Sequence, residues 1–158
     1  HEHDDHKNTK KSLKAHQHGL GKMNIVQDQN SLLLEIELPG FDVVGFEHEA
    51  KNKEDIKAVK ASLRLLNNPK NIFEVPNDAN CKAIKSEAEI LSEGNHTEFV
   101  ARYVLKCKNI NKIDKIKILY FSNFNNGKKL NINVVGEKQI SNFDLSKTIN
   151  IININNHF

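Results

Sequence analysis

The feature that most restricts this fold is the placement of its two cysteines. Cys81 and Cys107 stand thirteen positions on either side of Gly94, in the run CKAIKSEAEIL, SEGNHT, EFVARYVLKC. The flanking segments read as strands and SEGNHT as a polar turn. A hairpin centred on Gly94 sets the two cysteines opposite each other, with Cβ atoms about 4.5 to 5.5 Å apart and closable by local twist. A disulfide across such a loop contributes about 3 to 4 kcal/mol in the chain-entropy model. It implies an oxidising compartment such as a bacterial periplasm and removes both thiols from metal or nucleophilic chemistry. Two unrelated buried thiols are the alternative, and the symmetry about the turn favours the disulfide.

The chain has 158 residues, enough for one domain with its own core. Its formal net charge is +3 with 27% charged residues, but acidic residues interleave with the lysines and only Arg64 and Arg102 are arginines. No stripe of aromatics accompanies the charge, so a mixed solvated surface is expected rather than nucleic-acid binding. No stretch approaches the roughly 20 apolar residues of a membrane span. The opening HEHDDH lacks Met and an apolar leader, as expected of a product from which a signal peptide has been removed.

Residues 1–14, HEHDDHKNTKKSLK, carry no apolar periodicity and are expected to form a disordered His- and Asp-rich arm ahead of a domain over 15–158. GKMNIVQ and SLLLEIELPG predict a hairpin, with Leu32, Leu34, Ile36 and Leu38 on one face and Pro39-Gly40 ending it. FDVVGFEHEA reads as a connection. An amphipathic helix follows, with Asn52 as N-cap, Glu54 and Asp55 in the first turn, and Ile56, Val59, Leu63 and Leu66 as the apolar stripe. Asn67, Asn68 and Pro69 stop it. After the cysteine hairpin, NINKID suggests a short helical turn and KIKILYFS a half-buried strand through Tyr120, while KKLNINVVGEKQ and SKTINIINI are expected to close the sheet. The expected class is α+β: a single domain rich in antiparallel sheet, with one main amphipathic helix packed on it.

Eight histidines punctuate this plan. In AHQHG, His16 and His18 alternate at strand spacing and would project to the same side. An exposed polar strand entry is the competing reading of that pair alone. His48, in GFEHEA, follows the second strand of the first hairpin, whose open ends lie together, so His16, His18 and His48 are expected to converge. Three imidazoles fill three of the four tetrahedral positions of Zn²⁺, leaving one for water, Glu47, Glu49 or a partner's group. His1, His3 and His6, with the arm's carboxylates, and His96 in the turn form a possible secondary metal set. If His1 is the N-terminus, its amine and His3 also suit square-planar Cu(II) or Ni(II).

AHQHG, LLLEIELPG, GFEHEA, the helix exit NNPKNIFEVP, the hairpin strand TEFVARYVLKC and KIKILYF together resemble the ZrgA-like family of periplasmic zinc-binding proteins over roughly residues 15 to 155. The resemblance implies a secreted or periplasmic protein that binds Zn²⁺ and assists its uptake beside a zinc ABC importer, whose solute-binding protein is the implied partner. It assigns the ligand role to His16, His18 and His48. Members often carry a long His-rich, acidic insert before the EFVARY-like strand. Here only SEGNHT with His96 stands there, and the HEHDDH arm is the candidate substitute.

An open zinc position also suits a hydrolase, with Glu47 or Glu49 as general base. HEXXH and comparable signatures are absent, so binding and delivery are favoured over catalysis. A soft copper site is disfavoured because Met23 is the only methionine and the cysteines pair, although the arm could act as a general copper or nickel buffer.

Overall fold

The computed structural model describes residues 19–158. The arm, His16 and His18 therefore lie outside the described residues. Strands β1 (Leu20–Asp28) and β2 (Ser31–Pro39) form the expected hairpin, paired from Lys22 with Glu37 to Asp28 with Ser31. Alternation puts Met23, Ile25, Leu32, Leu34, Ile36 and Leu38 on the core face, all buried. After Gly40 the chain makes one helical turn, α1 (Gly40–Val44), where the sequence suggested only a connection. Gly45, at φ 86°, ends it in the left-handed conformation that glycine adopts without steric cost.

Helix α2 (Lys53–Asn67) starts as expected: the Asn52 side chain accepts the Asp55 N–H at 2.8 Å. Val59, Ser62 and Leu66 are buried and Leu63 packs against the core, but Ile56 remains 38% exposed. The apolar stripe is thus one turn shorter than predicted, because the buried face is confined to the last three turns. Two hydrogen bonds tie the helix exit to the sheet. Tyr103 Oη donates to the Leu66 carbonyl at 2.5 Å, and Ser86 Oγ donates to the Asn67 carbonyl.

The six-stranded sheet runs β4 (Cys81–Glu93), β5 (His96–Cys107), β2, β1, β7 (Lys129–Val135), β8 (Ile140–Ser146). All its pairings are antiparallel except β1 with β7, which is parallel from Leu20 with Lys129 to Val26 with Val135. On the outer face Arg102 Nε donates to Glu35 Oε2 at 2.7 Å and its guanidinium approaches Glu87 and Glu89. A smaller sheet joins β3 (Phe73–Glu74), β6 (Lys115–Ile118) and β9 (Ile151–Asn153).

The cysteine hairpin holds with one correction. Pairing begins at Glu93 with His96, so the turn is centred between Gly94 and Asn95 rather than on Gly94. That offset alone would bring Cys81 opposite Lys108. An irregularity between Ala83 and Lys85, where Ile84 is the extra residue, shifts the register by one and restores Cys81 opposite Cys107. The disulfide forms with the Cα atoms 3.9 Å apart.

Two late expectations change. The strand at KIKILYFS stops at Ile118, and Tyr120–Asn123 turn helically as α3. Tyr120 and Phe121 are both buried, which consecutive residues of a one-sided strand cannot achieve. Of SKTINIINI, Ser146 only ends β8, and the strand it does form, Ile151–Asn153, pairs with β6 instead of closing the large sheet. One edge of that sheet is β8, of whose residues only Leu145 is buried. An amide ladder holds it: Asn131 Nδ2 donates to Asn142 Oδ1 at 2.9 Å and Asp144 Oδ1 at 2.7 Å, and Asn142 Nδ2 donates to Asn133 Oδ1 at 2.5 Å. No helix among the described residues is long and apolar enough to cross a membrane.

Candidate metal centre

The site is assembled where the open ends of the first hairpin meet the start of β5. Gly40 makes this junction possible: a Cβ there would fall 2.0 Å from Thr97 Oγ1 and 3.0 Å from the Phe46 carbonyl oxygen. Asp42 on α1 is fully buried, and its Oδ1 accepts the Gly19 N–H at 2.6 Å. The residue that follows His18 in the sequence is therefore fastened to the helix that leads to His48.

Beyond Gly45 the loop presents Glu47, His48 and Glu49. Glu47 Oε2 accepts the Phe41 N–H at 2.5 Å, and its Oε1 lies 3.6 Å from His96 Nδ1. This carboxylate ties the loop to α1 and draws the hairpin turn toward it. The His48 ring stacks on Phe46, centroids 4.5 Å apart and planes within 20°, and its Nε2 lies 2.8 Å from Asp55 Oδ2. The His48 side chain remains 62% exposed. It borders a cavity of about 320 Å³ whose wall also includes Glu49, Asn52, Asp55 and Asn95.

The structure thus brings His48 to Asp55 and His96 to Glu47. Among the described residues no three His, Cys, Asp or Glu side chains converge closely enough to hold a metal. Asp55 was visible in the sequence only as a first-turn charge; its spacing from the N-cap Asn52 was the available signal. Glu98, which pairs with Pro39 at this end of the sheet, was not singled out either. Burial, reinforced by the neighbouring Glu37 carboxylate, pushes its pKa up to about 7. His157 is buried far from this chemistry: its Nε2 meets Ser141 Oγ at 2.6 Å and its Nδ1 the Asn155 carbonyl at 3.2 Å, a structural pairing.

The fold is thus an α+β domain in which a loop bearing the exposed His48 lies beside the Asp55 carboxylate at the start of α2. The family model for the ZrgA family zinc uptake protein matches residues 15–154, and the chain belongs to that family. No curated protein matches the chain.

Proposed function

We propose that this protein captures Zn²⁺ in the periplasm through the neutral imidazoles of His16, His18 and His48 and delivers it to a zinc ABC importer, through that importer's solute-binding protein, without catalysing a reaction. The observation that carries this reading is the tie from Gly19 to Asp42, which joins the chain just after His18 to the short helix that leads into the His48 loop. Membership in a family described by zinc uptake supports the choice of metal. The exposed ring of His48 and the adjoining cavity leave room for a partner's ligand to enter during transfer. Glu49 stands on that wall as a possible fourth ligand, whereas Glu47 is engaged with Phe41 and His96.

Calorimetric zinc titration of the metal-stripped full chain tests the proposal. A His16→Ala, His18→Ala, His48→Ala variant is expected to lose the tight site. A His1→Ala, His3→Ala, His6→Ala variant is expected to keep it while binding less total zinc. Tight binding that survives the first variant and disappears in the second would transfer the role to the arm. Zinc ligation needs neutral imidazoles, so affinity is expected to fall as the pH drops through about 6.5 toward 5. A flat profile over that range would count against an imidazole-dominated site.

A further inference from the structure

We propose that Asp55 is the positioning residue of the zinc site: by accepting the Nε2–H of His48 it fixes the neutral tautomer whose lone pair lies on Nδ1, and Nδ1 is the atom that meets the metal. The inference rests on His48 being a ligand, as argued above, and goes beyond it by assigning the ligating atom and the group that selects it.

A neutral imidazole carries one N–H and one lone pair, and the partner of the N–H decides which nitrogen is left to bind. Here Nε2 lies 2.8 Å from Asp55 Oδ2, whereas Nδ1 has no hydrogen-bond partner among the described residues. An ionised carboxylate only accepts, so the proton of the neutral ring belongs on Nε2. The ring is also held across its plane. Phe46 stacks on it at 4.5 Å, and with Nε2 tied to Asp55 the ring edge bearing Nδ1 is left for a ligand.

Asp55 is itself held firmly, as a group that orients another must be. It occupies the third position of α2, where its N–H donates to Asn52 Oδ1 at 2.8 Å and Asn52 Nδ2 donates to its Oδ2 at 3.2 Å. The helix N-terminus favours its negative charge. His48, by contrast, sits in a segment between α1 and α2 with no regular structure of its own. The rigid helix start thus lends its order to a loop residue. Hydrogen-bonded carboxylates behind metal-binding histidines typically carry about 10- to 100-fold of metal affinity. The competing account is an exposed ion pair between protonated His48 and Asp55, which would have no bearing on metal.

The full chain labelled with ¹⁵N-histidine separates these accounts, with His48→Ala identifying the His48 signals. Long-range ¹H–¹⁵N correlation at pH 8 is expected to show the Nε2–H tautomer in the metal-free protein. Loading with ¹¹³Cd²⁺ is expected to give coupling to Nδ1. Asp55→Ala is expected to mix the tautomers and weaken zinc binding by about 10- to 100-fold. Asp55→Asn keeps an acceptor oxygen and is expected to recover part of that loss, which a direct carboxylate ligand would not allow. Asn52→Ala, which removes the helix cap and the amide that holds Asp55, is expected to lower the melting temperature and to loosen the Nε2–H preference less than Asp55→Ala does. Cadmium coupling to Nε2, or an Asp55→Ala protein with unchanged tautomer and affinity while His48→Ala is weakened, would overturn the assignment of Asp55 alone. Undiminished zinc binding by His48→Ala would overturn it together with the zinc-site reading.

Discussion

The β4–β5 hairpin meets the rest of the molecule differently at its two ends. At one end Cys81 and Cys107 are joined covalently, next to a buried Leu105 and the Asn80 and Ala79 carbonyls that accept the Lys108 and Asn109 N–H groups. At the other end Gly94 and Asn95 form an exposed turn, and the described side-chain tie of His96 is the approach of its Nδ1 to Glu47 Oε1 at 3.6 Å, an ion pair only when the imidazole is protonated. The magnitudes are unequal: a disulfide of this span contributes about 3 to 4 kcal/mol, and an exposed ion pair about 0 to 1. One end is fixed by a covalent bond; the other is held by a much weaker contact.

The largest expected effect comes from opening the fixed end. Cys81→Ser with Cys107→Ser should lower unfolding free energy by about 3 to 4 kcal/mol in urea titration while leaving the zinc stoichiometry of the folded protein unchanged. Loss of zinc binding from a protein that is still folded would show that the two ends are coupled. Next is Gly40→Ala, whose Cβ must displace Thr97 or the Phe46 carbonyl. It should cost about 1 to 3 kcal/mol and also weaken zinc binding, because the junction carries the His48 loop.

Glu98 sharpens the comparison through pH. Its carboxyl titrates near 7 in the folded protein because burial, with Glu37 beside it, penalises the charge. Between its ordinary value and about 7 the folded state holds a proton that the unfolded chain has released. Its contribution is therefore present at low pH and lost as the pH rises through 7. Glu98→Gln should flatten that part of the stability profile, measured by melting temperature at pH 5 and pH 8. His96→Ala should change stability least, by about 0 to 1 kcal/mol, and zinc affinity only slightly.

Much of this architecture was legible because local rules and burial agreed. Leu32, Leu34, Ile36 and Leu38 alternate and are buried, and Asn52 caps the helix it was expected to cap. The equidistance of the cysteines from Gly94 gave the right pairing through two compensating offsets, a turn centre displaced toward Asn95 and an extra residue at Ile84. Strand β8 was not legible, since Ile140 is 72% exposed and the amides that hold the strand read as compositional bias. The site divides similarly. The histidine spacing and the His48 loop could be read along the chain. The contacts of His48 with Asp55 and of His96 with Glu47 depend on tertiary placement that no periodicity encodes.

The parallel pairing of β1 with β7 also governs when the domain can form. Leu20 finds its partner only at Lys129, so the central strand of the sheet is flanked on both sides only after most of the chain is present. Pairings so distant in sequence are slow, because their entropy of closure must be met before they contribute. The first hairpin can assemble early, yet the strand that begins beside the histidines stays open on one edge until the chain is nearly complete. The β1 edge is therefore covered late in folding, and a prematurely terminated chain would expose it to pairing with other strands.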